Sequence, residues 1–245
     1  LDMQTSQWHH QLVRLQQGLA IRLGFCLGKV LAATAIEALL KQRPTAGFHS
    51  LSQLRAAGAS PALLQRLAAA GALQQISGDR FQSQWQTLAL PAQQLPLFAP
   101  LETQTAPTAK LPRPTEIQDI AADYRVLGAS TRRHPLALLR ERGLLRGVKR
   151  AAELSSCRHQ QVVCVAGLVT CRQRPGTASG VTFITLEDET GMVNVVIWQA
   201  TARSQRQPYL TAKLLKVYGT VEIHGDVIHV IAGRLVDGAD LLAQL

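Results

Sequence analysis

The chain has 245 residues, with 26 Lys and Arg against 16 Asp and Glu, a formal net charge of +10 and a pI near 10.1. At 47% hydrophobic it carries enough apolar material for a core, which excludes disorder over most of its length. At about 150 residues per domain it reads as two compact units. The most apolar stretch, Leu23 to Leu40, is broken by Lys29 and Glu37, so it lacks the uninterrupted run of a spanning helix and no membrane partner is expected.

No charged-then-apolar leader opens the chain. It starts on Leu1 rather than Met and reads as a piece of a longer protein. The cysteines Cys26, Cys157, Cys164 and Cys171 are too few and too unevenly spaced for a disulfide scaffold, which points to the cytoplasm. The positive excess points to a polyanion, with nucleic acid ahead of an anionic membrane. It is unevenly spread: residues 1–112 hold nine basic and four acidic side chains, 113–150 nine and four again, and 151–245 eight and eight.

In chain order, Ile36, Leu39 and Leu40 give a short amphipathic helix over 33–42. Ser60 and Pro61 are an N-cap and first-turn proline, and Gly71 stands where a left-handed C-cap closes that helix. Residues 1–86 therefore read as helical. Six of the eleven prolines fall between Pro91 and Pro114, so 87–114 reads as an extended linker. Thr115 and Gln118 have the spacing of a capping box, and a second helix follows Pro135, making 115–156 a basic helical connector. The period then changes. Val163, Val165 and Val169 alternate with their neighbours, as do Phe183 and Thr185 with Ile184 and Leu186. A strand over 193–198, a helix over 199–210 and strands over 213–223 and 227–235 around Gly225 and Asp226 complete a five-stranded barrel in 157–245. The fold class expected is α+β and multi-domain.

The run from Arg172 to Trp198, RQRPGTASGVTFITLEDETGMVNVVIW, resembles the OB-fold of bacterial C-family DNA polymerase large subunits, closest to the error-prone branch. The stretch GASTRRHPLALLRERG before it, AIRLGFCLGK at Ala20–Lys29 and AAAGAL at Ala68–Leu73 resemble the same family's connector and tandem helix-hairpin-helix region, in the family's order. The resemblance implies a parent enzyme that copies past damaged template bases with magnesium. It also implies that the catalytic palm lies outside this chain. Asp2, Glu37, Asp79 and Glu102 are the acids of the first 112 residues, scattered where two-metal transfer needs a cluster. No active site and no cofactor are expected in this chain.

Four candidate sites emerge. On the barrel, Phe183 is a stacking platform, Arg172 and Arg174 are phosphate partners at the edge of the first strand, and Asn194 is a polar neighbour. In the linker, Gln94, Leu95, Leu97 and Phe98 resemble the short sliding-clamp motif of bacterial polymerases, a few apolar anchors beside one glutamine. In the helical region the family's phosphate-binding turn matches Val30 to Ala32, without its glycines, and leaves Lys29 as the duplex contact. In the connector, Arg132 and Arg133 lead a basic stretch running through Arg140, Arg142, Arg146, Lys149 and Arg150. The resemblance adds two partners, a catalytically inactive Y-family homologue and a RecA-like mutagenesis protein. Cys157, His159, Cys164 and Cys171 lack zinc spacing; in a regular strand Cys164 and Cys171, seven apart, face opposite ways. His224 and His229, flanking a turn, read as surface residues. Two other readings compete: a protein-only docking scaffold, and an RNA-binding barrel like those that read anticodons in class II aminoacyl-tRNA synthetases.

Overall fold

The computed structural model describes residues 1–16, 18–90, 111–176 and 180–244. It forms two compact units, Leu1–Arg132 and Arg133–Leu245. The linker motif Gln94, Leu95, Leu97 and Phe98 lies outside the described residues.

The first unit opens with a two-stranded antiparallel hairpin, β1 (Gln11–Leu15) and β2 (Gly18–Arg22), where the sequence reads as helical. Leu12, Leu19 and Ile21 are each 68% exposed, so the strands turn no apolar stripe toward a core and leave no period-two signal to read. Among the described residues six α-helices follow: α1 (Ala33–Lys41), α2 (Leu51–Ala56), α3 (Pro61–Ala69), α4 (Gln74–Ser77), α5 (Arg80–Ala89) and α6 (Glu116–Val126). The starts of α2, α3, α5 and α6 are set by side chains that accept otherwise orphaned amides. Ser50 takes the Gln53 amide, Ser60 that of Leu63 and Asp79 that of Gln82. At α6 the capping box is complete: Thr115 accepts from the Gln118 amide at 3.3 Å and Gln118 from the Thr115 amide at 2.8 Å. Phe25, Ile36, Phe48, Leu54, Leu64 and Leu73 form the core.

A buried ionic cluster ties α5 to α6. Asp119 and Asp123, four apart and so on one helix face, both meet Arg80, whose side chain is 4% exposed. Arg132 reaches Asp119 from the rim at 2.9 Å, and the Ser130 hydroxyl donates to Asp123 at 2.7 Å. The expected connector 115–156 is thus divided: α6 belongs to the first unit, and the residues from Arg133 onward to the second.

In the second unit α7 (Pro135–Glu141) precedes a closed barrel of β3 (Val162–Gln173), β4 (Thr182–Asp188), β5 (Gly191–Ile197), β6 (Leu214–His224) and β7 (Val227–Asp237), in the order β3-β4-β5-β7-β6. The β5–β7 pair is parallel and the others antiparallel. Val165, Ile184, Leu186, Val195, Val217 and Val230 fill the interior, as side chains must in so small a barrel. Outside it Leu136 and Leu139 of α7 cover Ala166 and Leu214. Between β5 and β6 the chain makes two short helices, α8 (Gln199–Ser204) and α9 (Arg206–Thr211), and the last element is α10 (Ala239–Ala243). At the corner between α8 and α9 the Gln205 side chain donates to the Gly233 carbonyl at 2.9 Å and accepts from the Leu235 amide at 2.7 Å, pairing with β7 as a further strand would.

Candidate nucleic-acid interface

Strand parity fixes what the barrel shows to its surroundings. Phe183 is 37% exposed while Ile184 and Leu186 are fully buried, as alternation along a half-buried strand requires. Across the sheet, Phe183 pairs with Val196 and then Ile231. The next row outward runs from Cys171 through Thr185 and Asn194 to His229 and Glu222. Phe183 and Asn194 are therefore on one outer surface, one row apart. His229, read from sequence as a surface residue flanking a turn, joins them, and its buried Nδ1 has no hydrogen-bond partner among the described residues.

The first strand departs from the sequence reading. A register shift between Val169 and Cys171 puts one extra residue into β3, and a bulge reverses parity beyond it. Arg172 then pairs with Ile184, on the interior side of the pleat. Its Nε donates to the Tyr209 carbonyl at 3.1 Å and its Nη2 to that of Ala212, so it closes the C-terminal end of α9 instead of lying free on the edge of the Phe183 face. The same bulge brings Cys164 and Cys171 to one face, correcting the expectation for a regular strand. Arg174, beyond the end of β3, is exposed.

Although residues 151–245 balance eight basic against eight acidic side chains, the strand directions separate the two signs. At one end lie Arg172 at the end of β3 and Arg174 just after it, Arg203 and Arg206 on α8 and α9, Lys213 and Lys216 where β6 starts, and Arg234 late in β7. At the other lie Glu187, Asp188 and Glu189 at the β4–β5 turn, with Glu222 and Asp226 at the β6–β7 turn. The exceptions are Asp237, closing β7, with Asp240 just after it, and Arg158, which precedes β3 on the acidic side. A barrel with no net charge thus offers a positive end to a polyanion.

Two of the connector arginines, Arg140 and Arg150, serve the acidic end. Arg140 Nε meets Glu189 Oε1 at 2.5 Å, Arg150 Nε meets it at 3.1 Å, and Arg140 Nη1 donates to the Val148 carbonyl at 2.6 Å. Asp188 accepts from the amides of Ala151, Thr190 and Gly191, locking the turn. Arg132 and Arg133, expected as phosphate contacts, are also engaged: Arg132 with Asp119, and Arg133 with Glu141 at 3.0 Å.

His134 caps α7, its Nδ1 accepting from the Leu136 amide at 3.2 Å. Burial pushes its pKa below the usual 6.5, against the opposing pull of Glu187, Glu189 and Asp188. The unfolded chain takes up this proton at the ordinary value and the folded chain only at lower pH. The stabilisation is therefore complete above about pH 6.5 and is lost as pH falls through the folded value. We expect a lower Tm at pH 5 than at pH 7.5, with a smaller difference in His134→Asn, which keeps a capping acceptor; thermal unfolding at both pH values checks this.

In the first unit, Lys29 is exposed, but the segment Val30–Ala32 joins a 3-10 turn at Phe25–Leu27 to α1. A turn between two helices with glycine at positive φ occurs instead between α2 and α3. Gly58 has φ 93° with open space around it, its amide bonds the Arg55 carbonyl at 2.9 Å, and the Ala59 amide bonds that of Leu54 at 2.9 Å. Ser60 then opens α3. Ser60 and Pro61 give the helix start in the sequence, and Gly58 two residues earlier carries the signal for the turn.

Among the described residues no three His, Cys, Asp or Glu side chains converge as a metal ion requires. No described helix is long and apolar enough to cross a membrane.

Comparison with known proteins adds two family models. Residues 1–83 match a helix-hairpin-helix motif, and residues 163–237 match an OB-fold nucleic acid binding domain. Among curated proteins, the error-prone DNA polymerase of Vibrio vulnificus strain YJ016 is 48% identical over 240 residues, 96% of this chain. That of Idiomarina loihiensis is 46% identical over 245 residues, 99% of this chain. The chain spans 23% of the length of each of these relatives. Among solved structures, the asparaginyl-tRNA synthetase of Pyrococcus horikoshii matches at 20% identity over 32% of this chain and 20% of its own, with a TM-score of 0.28, too distant to bear on function.

Proposed function

Because this chain belongs by sequence to the error-prone DNA polymerases, matching the C-terminal 23% of their length, we propose that it holds single-stranded template DNA for a polymerase active site built elsewhere. The observation that carries the reading is the exposed Phe183 beside Thr185 and Asn194, on a barrel whose cations gather at one end. Base-on-aromatic stacking and phosphate pairing there need no sequence reading, which suits an enzyme that meets altered bases. Arg174 and the α8–α9 cations supply the phosphate partners. The α2–α3 turn with the start of α3 is the place for a duplex phosphate.

The parent enzyme in this reading performs DNA-directed nucleotidyl transfer past lesions in the cytoplasm, with magnesium bound outside this chain. Gln94, Leu95, Leu97 and Phe98 dock on the sliding clamp, and the inactive Y-family homologue and RecA-like protein are further partners.

Fluorescence anisotropy with a labelled single-stranded oligonucleotide at several salt concentrations tests the reading. Binding should weaken as salt rises, and Phe183→Ala should cost about five- to a hundredfold in affinity. An RNA competitor that displaces the DNA at lower concentration would favour the RNA-binding barrel. No binding even at low salt would leave the protein-docking scaffold.

A further inference from the structure

Around the barrel from Phe183, β6 carries another exposed aromatic. Tyr218 is 37% exposed, the same as Phe183. Lys216 Nζ lies 5.3 Å from its ring centroid and Arg234 Cζ 5.7 Å from it, both within cation–π range. The fold puts them together: Lys216 is two residues earlier on the same strand face, and Arg234 is the cross-strand partner of Tyr218 on β7. On the other side Tyr218 pairs with Cys164 of β3. Among the described residues neither Lys216 nor Arg234 forms an ion pair, unlike the arginines at the acidic end. Beyond Ile231 β7 is no longer paired with β5; there the α8–α9 corner is held to it through Gln205, on either side of Arg234.

We propose that Tyr218, with Lys216 and Arg234, is a second single-strand platform: a base stacks on the ring while adjacent phosphates pair with the two cations. The ligand class is single-stranded nucleic acid, because an aromatic face between two unneutralised cations matches a π-face between two phosphates. From Phe183 to the strand that bears Tyr218, the surface crosses only Val196 on β5, Ile231 on β7 and Thr220 on β6. At about 4.8 Å per strand spacing, one strand of DNA reaches both rings. The inference rests on the single-strand reading of the barrel and adds a site to it.

The test uses the 245-residue chain with deoxyoligonucleotides of about 5 and about 16 nucleotides, bracketing the span of one OB barrel. Tyr218→Ala should weaken the longer by about five- to a hundredfold and leave the shorter, held at Phe183, within about twofold. Tyr218→Phe should bind both like the parent. The double variant Lys216→Gln, Arg234→Gln tests the cations without touching the ring; it should lower the salt slope for the longer strand by about 1.4. Iodouracil-substituted DNA should photo-crosslink to the peptide bearing Tyr218. Equal affinity of parent and Tyr218→Ala for the longer strand, with no such crosslink, overturns the proposal. If Phe183→Ala still weakens both lengths, only the second platform falls; if Phe183→Ala is also silent, the single-strand reading falls with it.

Discussion

Arg80→Ala should destabilise the first unit by about 3–5 kcal/mol, the usual cost of removing one partner from a buried ionic group. Arg80 opens α5, is 4% exposed, and neutralises Asp119 and Asp123 together. Its Nη1 also donates to the Asp119 main-chain carbonyl at 2.9 Å. Without it two carboxylates, each 10% exposed, keep only Arg132 and the Ser130 hydroxyl. The loss comes from abandoned charge more than from lost attraction. A triple variant Arg80→Met, Asp119→Asn, Asp123→Asn should therefore lose less than Arg80→Ala alone, a non-additivity expected within one network. Urea unfolding of the three proteins reads both numbers; a greater loss in the triple variant would contradict this account.

Gly219→Ala should be the most damaging glycine substitution in the barrel, at about 3 kcal/mol, the upper part of the range for overpacking. A Cβ at Gly219 would lie 2.3 Å from the Ile231 carbonyl oxygen and 2.9 Å from Val230 Cγ1. The first of these is backbone and cannot step aside. This is where the β6–β7 register shifts, so the strand that closes the barrel would have to move. Two controls separate packing from backbone conformation. At Gly233 the nearest atom to an added Cβ is the Tyr218 carbonyl at 3.5 Å, an ordinary contact, and Gly233→Ala should be tolerated. At Gly58 there is open space but φ is +93°, so Gly58→Ala should cost about 1–2 kcal/mol through the left-handed conformation alone. Chemical denaturation orders the three; a milder effect at Gly219 than at Gly58 would refute the packing argument.

Local chemistry was the legible part of this sequence. The Ser60 cap, the Thr115–Gln118 box, the helix after Pro135 and the alternation that buries Ile184 while exposing Phe183 each depend on residues a few positions apart. The five strands of the barrel could be read from their period, and so could its class. Features created by register or distant pairing could not. The bulge in β3 takes Arg172 off the Phe183 face and onto the end of α9, and nothing in residues 169–173 announces it. Asp119 and Asp123 show their common helix face by spacing, but their partner Arg80 lies across the proline-rich stretch. The hairpin at 11–22 buries little, so it has no core-facing pattern. The separation of charge between the two ends of the barrel exists only once strand directions are known, which is why a neutral composition concealed a basic end. The helix–turn–helix at Gly58 is missed for another reason: Ser60 and Pro61 account for a helix start by themselves, and Gly58 is not drawn into that reading.

The central claim is that the outer surface of β4 and β5 holds single-stranded DNA. Hydrogen exchange of the 245-residue chain, with and without a single-stranded deoxyoligonucleotide at low salt, tests it most directly. Slower exchange over 182–197 when the DNA is added, reversed by high salt, is the result this account predicts. Unchanged exchange across those strands, with protection confined to the first unit or found nowhere, would contradict it.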